Sequence, residues 1–229
     1  MKREKYWSNF FDNKAITEKE IANRLTFYNE TNRQYIYSTI RSLVHGHFDK
    51  VLDAGAGNGD LCLKFKSQSK LIIAMDISFN MLKSIQNDML SNDNKIGLCK
   101  ASLMNPPFPE ACFDLILACE VLQYVPFNPS VFRLIDLLKP KGILLISVPH
   151  KDHPAIIRAH NRRDGMYNGI GIEELKHLCN MEGTSCQFMP LYLADNEDKQ
   201  YMRGEIKEEP SIGNIDGANR IIIKIKKIS

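Results

Sequence analysis

The sequence predicts an α/β fold, a doubly wound and mostly parallel seven-stranded sheet with an antiparallel last strand, preceded by a helical segment. Three observations predict it. Short continuous apolar runs recur from residue 48 onward and alternate with helix-patterned stretches, as strands buried on both faces do. The first of these runs ends in an acid and a glycine cluster, Val51-Leu52-Asp53-Ala54-Gly55-Ala56-Gly57-Asn58-Gly59. The rhythm then breaks near the end, where Ser185–Leu193 and Ala218–Lys227 read as strands with no helix between them, so they pair antiparallel.

Each element has its own signal. Residues 2–46 read as helical, with Ile36, Ile40, Leu43 and His47 at helical spacing, and they form an N-terminal lid or cap on a domain of residues 47–229. Aromatic residues concentrate there: Tyr6, Trp7, Phe10, Phe11, Phe27, Tyr28, Tyr35 and Tyr37. Phe48–Asp53 is the first strand and Gly59–Lys66 a helix. The β-branched run Lys70–Met75 is the second strand, and Ser78 caps a helix over Phe79–Leu90. Lys95–Lys100, Phe113–Ala118 and Gly142–Val148 are the next three strands. Ser130 is expected to cap a helix over Val131–Leu138, which Lys139-Pro140-Lys141-Gly142 stops. The roughly twenty residues after the fifth strand exceed the usual loop length and read as an insertion, followed by a helix over Ile172–Met181. The charged, turn-rich stretch Asp195–Gly217 reads as a long loop.

Composition bounds the function. The 229 residues are 44% apolar and 25% charged, which suits a folded soluble domain rather than a disordered chain. No apolar run approaches the roughly 18–20 residues that cross a bilayer. The N-terminal MKREKYWSNFFDNK lacks the apolar stretch of a signal peptide. The 30 basic and 27 acidic side chains leave a net charge of +3, too balanced to argue for nucleic acid. Six cysteines form no CxxC pair, so buried free thiols in a reducing, cytoplasmic setting are expected, without a metal site.

The glycine loop carries the strongest chemical signal. Glycine removes Cβ, so a ligand can lie against the backbone, and the helix start adds free N–H groups and a positive dipole end. The spacing is G-x-G-x-G rather than the dinucleotide pattern G-x-G-x-x-G. Asp76 closes the second strand, where an acid can accept hydrogen bonds from ribose hydroxyls and repels a 2′-phosphate.

The successive motifs VLDAGAGNGD, AMDIS and PPFPEACFDLILACEVLQYV resemble those of class I S-adenosylmethionine-dependent methyltransferases, most closely the small-molecule, type 11-like group. The resemblance spans about residues 30–190. It implies a Rossmann-like methyltransferase fold and S-adenosyl-L-methionine as cofactor. By position it implies that Asp53, Ala54, Gly55, Gly57 and Gly59 hold the methionine part. Asp76 would take both ribose hydroxyls, with Ile77 against the adenine and Ser102 and Leu103 at the adenine edge. Cys119 and Glu120 would face the methionine amino group and the transfer site, and Arg33 the carboxylate. Many relatives carry Asp where Ser102 stands, which leaves the adenine amino contact to the hydroxyl or to the Leu103 backbone.

Methyl transfer from a sulfonium needs alignment and exclusion of water rather than a covalent nucleophile. A hydroxyl acceptor is helped by a general base. His150, nearest the fifth strand among His150, His153 and His160, is the first candidate, and Glu120 another. Tyr124, in a stretch where relatives often carry histidine, lines the methyl pocket in this reading. Lys151, Arg158, Arg162 and Arg163 suit an acceptor with an acidic group, and the aromatic N-terminus suits an apolar body. Asn105-Pro106-Pro107-Phe108 resembles an amine-gripping tetrad of adenine and glutamine methyltransferases, but it precedes the fourth strand instead of following it. The alternatives left open are an RNA or protein methyltransferase, an NAD-dependent oxidoreductase, and a cofactor-binding module without turnover.

Overall fold

A computed structural model describes residues 2–21, 30–89, 95–163, 165–193, 202–211 and 214–228. The elements run α1 (Lys2–Ile21), α2 (Glu30–Ser42), β1 (Phe48–Ala54), α3 (Asp60–Phe65), β2 (Ser69–Asp76), α4 (Phe79–Met89), β3 (Ile96–Lys100), β4 (Phe113–Cys119), α5 (Phe127–Asp136), β5 (Leu138–Pro149), α6 (Pro154–Arg162), α7 (Ile172–Cys179), β6 (Thr184–Tyr192), β7 (Met202–Arg203) and β8 (Arg220–Lys227). The strand order is β3-β2-β1-β4-β5-β8-β6-β7. β1 through β5 pair in parallel, and β8 runs antiparallel between β5 and β6. This is the expected mixed sheet, extended by the two-residue edge strand β7.

Alternation along the strands explains the two-sided winding. Leu52, Ile116, Ala118, Leu144 and Ile146 face one core, with Val131 and Leu134 of α5 and Leu175 and Leu178 of α7. Val51, Ile72, Leu115, Leu117 and Leu145 face the other, with Ile36 and Ile40 of α2, Phe65 of α3 and Ile85 of α4. Both faces are apolar, so the strands read as unbroken hydrophobic runs. Each fully buried aliphatic side chain contributes roughly 1.5–3 kcal/mol.

Several local expectations change. Ser78 does cap α4, its Oγ accepting from the Met81 N–H at 3.1 Å. Ser130 instead lies inside α5, which starts after Pro126, and its hydroxyl donates back to the Pro126 carbonyl at 2.7 Å. The helix begins early because Pro129 falls in its first turn, where a missing N–H costs nothing. Lys139–Gly142 is not a stop between elements but an irregular start of β5, with Lys141 at φ 65° and a register shift opposite Phe113 and Leu115. The segment after β5 holds α6, because Pro154 sits in its first turn and the His153 ring accepts from the Ala155 N–H at 3.3 Å. Leu43 and His47 lie beyond the end of α2. The loop expected over 195–217 contains β7 at 202–203. Residues 195–201 of that stretch, together with Phe27, Tyr28 and Leu90, lie outside the described residues. No described helix is long and apolar enough to cross a membrane.

Candidate active site

The carboxyl ends of β1, β2, β3 and β4 open onto one cavity of about 950 Å³. This is where a doubly wound sheet offers loops and helix N-termini to a ligand. Gly55 and Ala56 anchor the loop after β1, both donating to the Met75 carbonyl, at 2.7 and 3.0 Å. Gly55 takes φ 84°, and a Cβ there would meet Val121 Cγ2 at 2.3 Å, so only glycine fits. Gly57 takes φ 54° and borders open space, where a Cβ would meet nothing. Its N–H donates to Asp76 Oδ2 at 2.9 Å, while Oδ1 accepts from the Ser78 N–H at 2.8 Å. Burial pushes the Asp76 carboxyl up, and these N–H groups oppose the rise.

The other half of the cavity is built from the end of β4, the loop after it and α6, and is closed by α1. Glu120 ends β4 at φ 54°, a strained conformation for a non-glycine residue. Its carboxylate holds the place by accepting from Arg220 Nε at 2.9 and 3.1 Å and from the Ser147 hydroxyl at 3.1 Å. Tyr124 packs against Trp7 with ring centroids 4.5 Å apart, and against Phe11 and Tyr167 at 5.1 and 5.5 Å. Burial raises its phenol well above the ordinary 10, so it lines the cavity as a neutral hydroxyl. The Cys119 thiol is likewise pushed up by burial. Arg3 ties α1 across the mouth, donating to the Tyr124 and Met166 carbonyls, both at 2.9 Å. Asp12 ties it to α4, accepting from Ser78 Oγ at 2.6 Å and from the Asn80 N–H at 3.2 Å.

Ten of the expected site residues line this cavity: Arg33, Gly55, Gly57, Asp76, Ile77, Ser102, Leu103, Cys119, Glu120 and Tyr124. Asp53, Ala54, Gly59 and His150 do not. Asp53 is sealed beneath the loop, accepting from the Cys62 thiol at 3.1 Å. Gly59 is the N-cap of α3 at φ 84°. His150 is buried at the end of β5, with its ring 3.7 Å from Asp152, and burial holds its pKa below the ordinary 6.5. Chain direction accounts for its distance from the cavity: His150 bridges to Ile170 and its N–H donates to the Asn219 carbonyl, so it faces the loops beside β8. His153 is spent as the α6 cap, and His160 hydrogen-bonds the Tyr167 carbonyl at 2.9 Å. Arg33 pairs with Asp60 at 2.8 Å and with Glu30. Arg158, Arg162 and Arg163 reach the cavity, and Lys151 instead pairs with Glu174 at 3.3 Å. Sequence reasoning missed Arg3, Glu4 and Arg220, which also line it, while Tyr37 belongs to the aromatic set read as a lid. The signal for Arg220 was a charge opening the apolar strand RIIIKIKK. The Asn105–Phe108 tetrad lies between β3 and β4, as the strand assignment required.

Residues 52–146 match the family model described as a methyltransferase domain. That stretch is about two fifths of the chain and runs from β1 into β5, so the likeness takes in the glycine loop and Asp76. Over 130 residues, 56% of the chain, it is 26% identical to a ubiquinone/menaquinone biosynthesis C-methyltransferase of Syntrophotalea carbinolica, covering 54% of that protein. Over 126 residues, 51% of the chain, it is 29% identical to a malonyl-[acyl-carrier protein] O-methyltransferase of a Methylovorus species, covering 42% of it. The chain thus spans about half the length of these relatives. The crystal structure of the N-methyltransferase NodS from Bradyrhizobium japonicum, in complex with S-adenosyl-L-homocysteine, shares the methyltransferase fold. Its TM-score is 0.65 at 15% identity, over 93% of this chain and 96% of that one.

Proposed function

We propose that this chain binds S-adenosyl-L-methionine in the cavity and moves its methyl group to an oxygen or nitrogen atom of a small molecule with an apolar body and an acidic group. The observation that carries the proposal is the pairing of Gly57 with Asp76. A backbone without Cβ borders open space directly beside a buried carboxylate at the end of the neighbouring strand. Asp76 already accepts from the Gly57 and Ser78 N–H groups, and an ionised carboxylate offers about four acceptor positions, so it retains capacity for ribose hydroxyls. The cofactor supplies a methyl group already activated on a sulfonium. The chain's own residues hold and align. Arg33 and the turn at 55–59 take the methionine portion, with Asp53, Ala54 and Gly59 shaping that turn from beneath. Ile77 and Leu103 take the adenine, and Cys119 and Glu120 lie beside the transfer site.

The aromatic cluster of Trp7, Phe11, Tyr124 and Tyr167 excludes water and packs the acceptor's apolar body. Positioning of this kind is worth several kcal/mol. Arg158, Arg162 and Arg163 on the α6 side meet the acidic group. Of the two candidate bases only Glu120 reaches the cavity, and both its oxygens already accept from Arg220. This arrangement favours an amine that arrives neutral, or a hydroxyl whose proton leaves to water. Residues 1–46 act as a cap on the domain of residues 47–229. Six free thiols suit the reducing cytoplasm.

Equilibrium dialysis with S-adenosylmethionine and S-adenosylhomocysteine tests the proposal. The folded protein takes up both, and Asp76→Ala weakens uptake about tenfold or more, since charge-assisted hydrogen bonds are worth roughly 1.5–3 kcal/mol each. No uptake of either ligand by folded protein, or uptake of NADH in their place, overturns it.

A further inference from the structure

The N-terminal helix places a carboxylate beside the hydroxyl that follows β3. Ser102 Oγ donates to Glu4 Oε1 at 2.5 Å and accepts from the Met104 N–H at 3.1 Å. Both residues line the cavity together with Ile77, Met81 and Leu103, of which Met81 and Leu103 are buried. The far end of the cavity is therefore an apolar slot with an anionic acceptor at its rim. Strand register sets its place. Asp76 faces Lys100 across the β2–β3 ladder, and the Ala101 N–H donates to the Asp76 carbonyl at 3.0 Å. Ser102 thus lies one strand outward from Asp76, a step of roughly 4.8 Å, and two residues further along the chain. A nucleoside whose ribose hydroxyls rest on Asp76 extends its base towards β3 and α1.

We propose that Glu4, positioned by Ser102, accepts the exocyclic amino group of the cofactor's adenine, so that the N-terminal helix itself reads the base. The inference rests on the cavity being the S-adenosylmethionine site. Its chemistry follows from donors and acceptors. An ionised carboxylate is acceptor-only and has room for the Ser102 hydroxyl and an amino N–H together. A base with a carbonyl in place of the amino group would set acceptor against acceptor. Ser102 has one proton and directs it at Glu4, so it is a positioning residue. The acid comes from a residue 98 positions away in the chain, where the segment after β3 carries only a hydroxyl.

Titration calorimetry with S-adenosylhomocysteine and S-inosylhomocysteine, in which the amino group is replaced by a carbonyl, tests this on the full chain. The wild type binds the adenosyl ligand at least about tenfold more tightly, as sites built for a hydrogen bond reject analogues that break it. Glu4→Ala brings the two ligands within about threefold by weakening the adenosyl one, and Ser102→Ala narrows the ratio part of the way. Glu4→Gln, whose amide both donates and accepts, also narrows it. A helix that merely covers the site would lose both ligands equally on Glu4→Ala. An unchanged ratio in that variant, at any absolute affinity, overturns the inference while leaving the cofactor assignment intact. Wild-type protein that is folded by circular dichroism and binds neither ligand overturns the cofactor assignment itself.

Discussion

Asp53 closes β1 with its carboxyl buried beneath the glycine loop, and this one side chain couples stability to pH. Burial lifts its pKa from the ordinary 3.8 to about 7, against the Cys62 thiol that donates to it. Below about pH 4 the carboxyl is protonated in both the folded and the unfolded chain. Between about 4 and 7 the unfolded chain gives up the proton and the folded one keeps it, so stability falls as pH rises. Above 7 both are ionised and the loss is complete. The full difference is on the order of 4 kcal/mol. Asp53→Asn removes it, and urea denaturation of variant and wild type at pH 5 and pH 8 is expected to show their stability difference shifting by roughly 2–3 kcal/mol towards the variant at the higher pH, since part of the loss has already occurred at pH 5. The acid was legible in the sequence as part of the cofactor loop. Its seclusion from the cavity was not, because a residue's depth depends on what the helix after the loop lays over it, here Cys62 of α3.

At the scale of elements, α1 and the loops it crosses form one unit. Its ties run to the segments after β2, β3, β4 and β5, through Asp12, Glu4 and Arg3. The apolar anchor is Trp7, only 3% exposed and packed against Tyr124 with the two rings tilted by 58°. Replacing a buried Trp by Ala costs roughly 3–5 kcal/mol in a core. Here the expected outcome is release of α1 rather than unfolding of the sheet, since α1 meets α4 and the loops rather than the strands. Trp7→Ala should therefore speed hydrogen exchange in residues 2–13 and leave β1, β4 and β5 protected, while S-adenosylhomocysteine affinity drops severalfold. Equal loss of protection in the sheet strands would show instead that α1 holds the whole domain together. Periodicity and aromatic content marked this segment as helical and cap-like. Which loops it crosses follows from tertiary packing, because a helix of mixed polarity can lie in several orientations and only partners such as Ser78 and Tyr124 select one.

Across the whole molecule, the Glu120–Arg220 pair joins the end of β4 to the start of β8, with the two residues 100 positions apart and their side chains 9% and 3% exposed. It ties the parallel half that carries the glycine loop to the antiparallel pair at the other side of the sheet. Removing one member of a buried ion pair strands the other charge, at a cost of about 3–5 kcal/mol. Arg220→Ala is expected to lower the chemical denaturation midpoint accordingly, and the double variant Glu120→Gln with Arg220→Met to recover most of it. By itself the amino-acid sequence determined the strand succession, the antiparallel finish, the glycine turn and Asp76, because these rest on short-range patterns: buried runs, turn residues and an acid at a strand end. Tertiary structure alone decided that α6 fills the expected insertion, that His150 faces β8 rather than the cavity, and that Arg220 and Glu4 reach it. Those outcomes depend on which distant segments are brought side by side, and a pairing across 98 or 100 residues leaves no local periodicity for a single sequence to display.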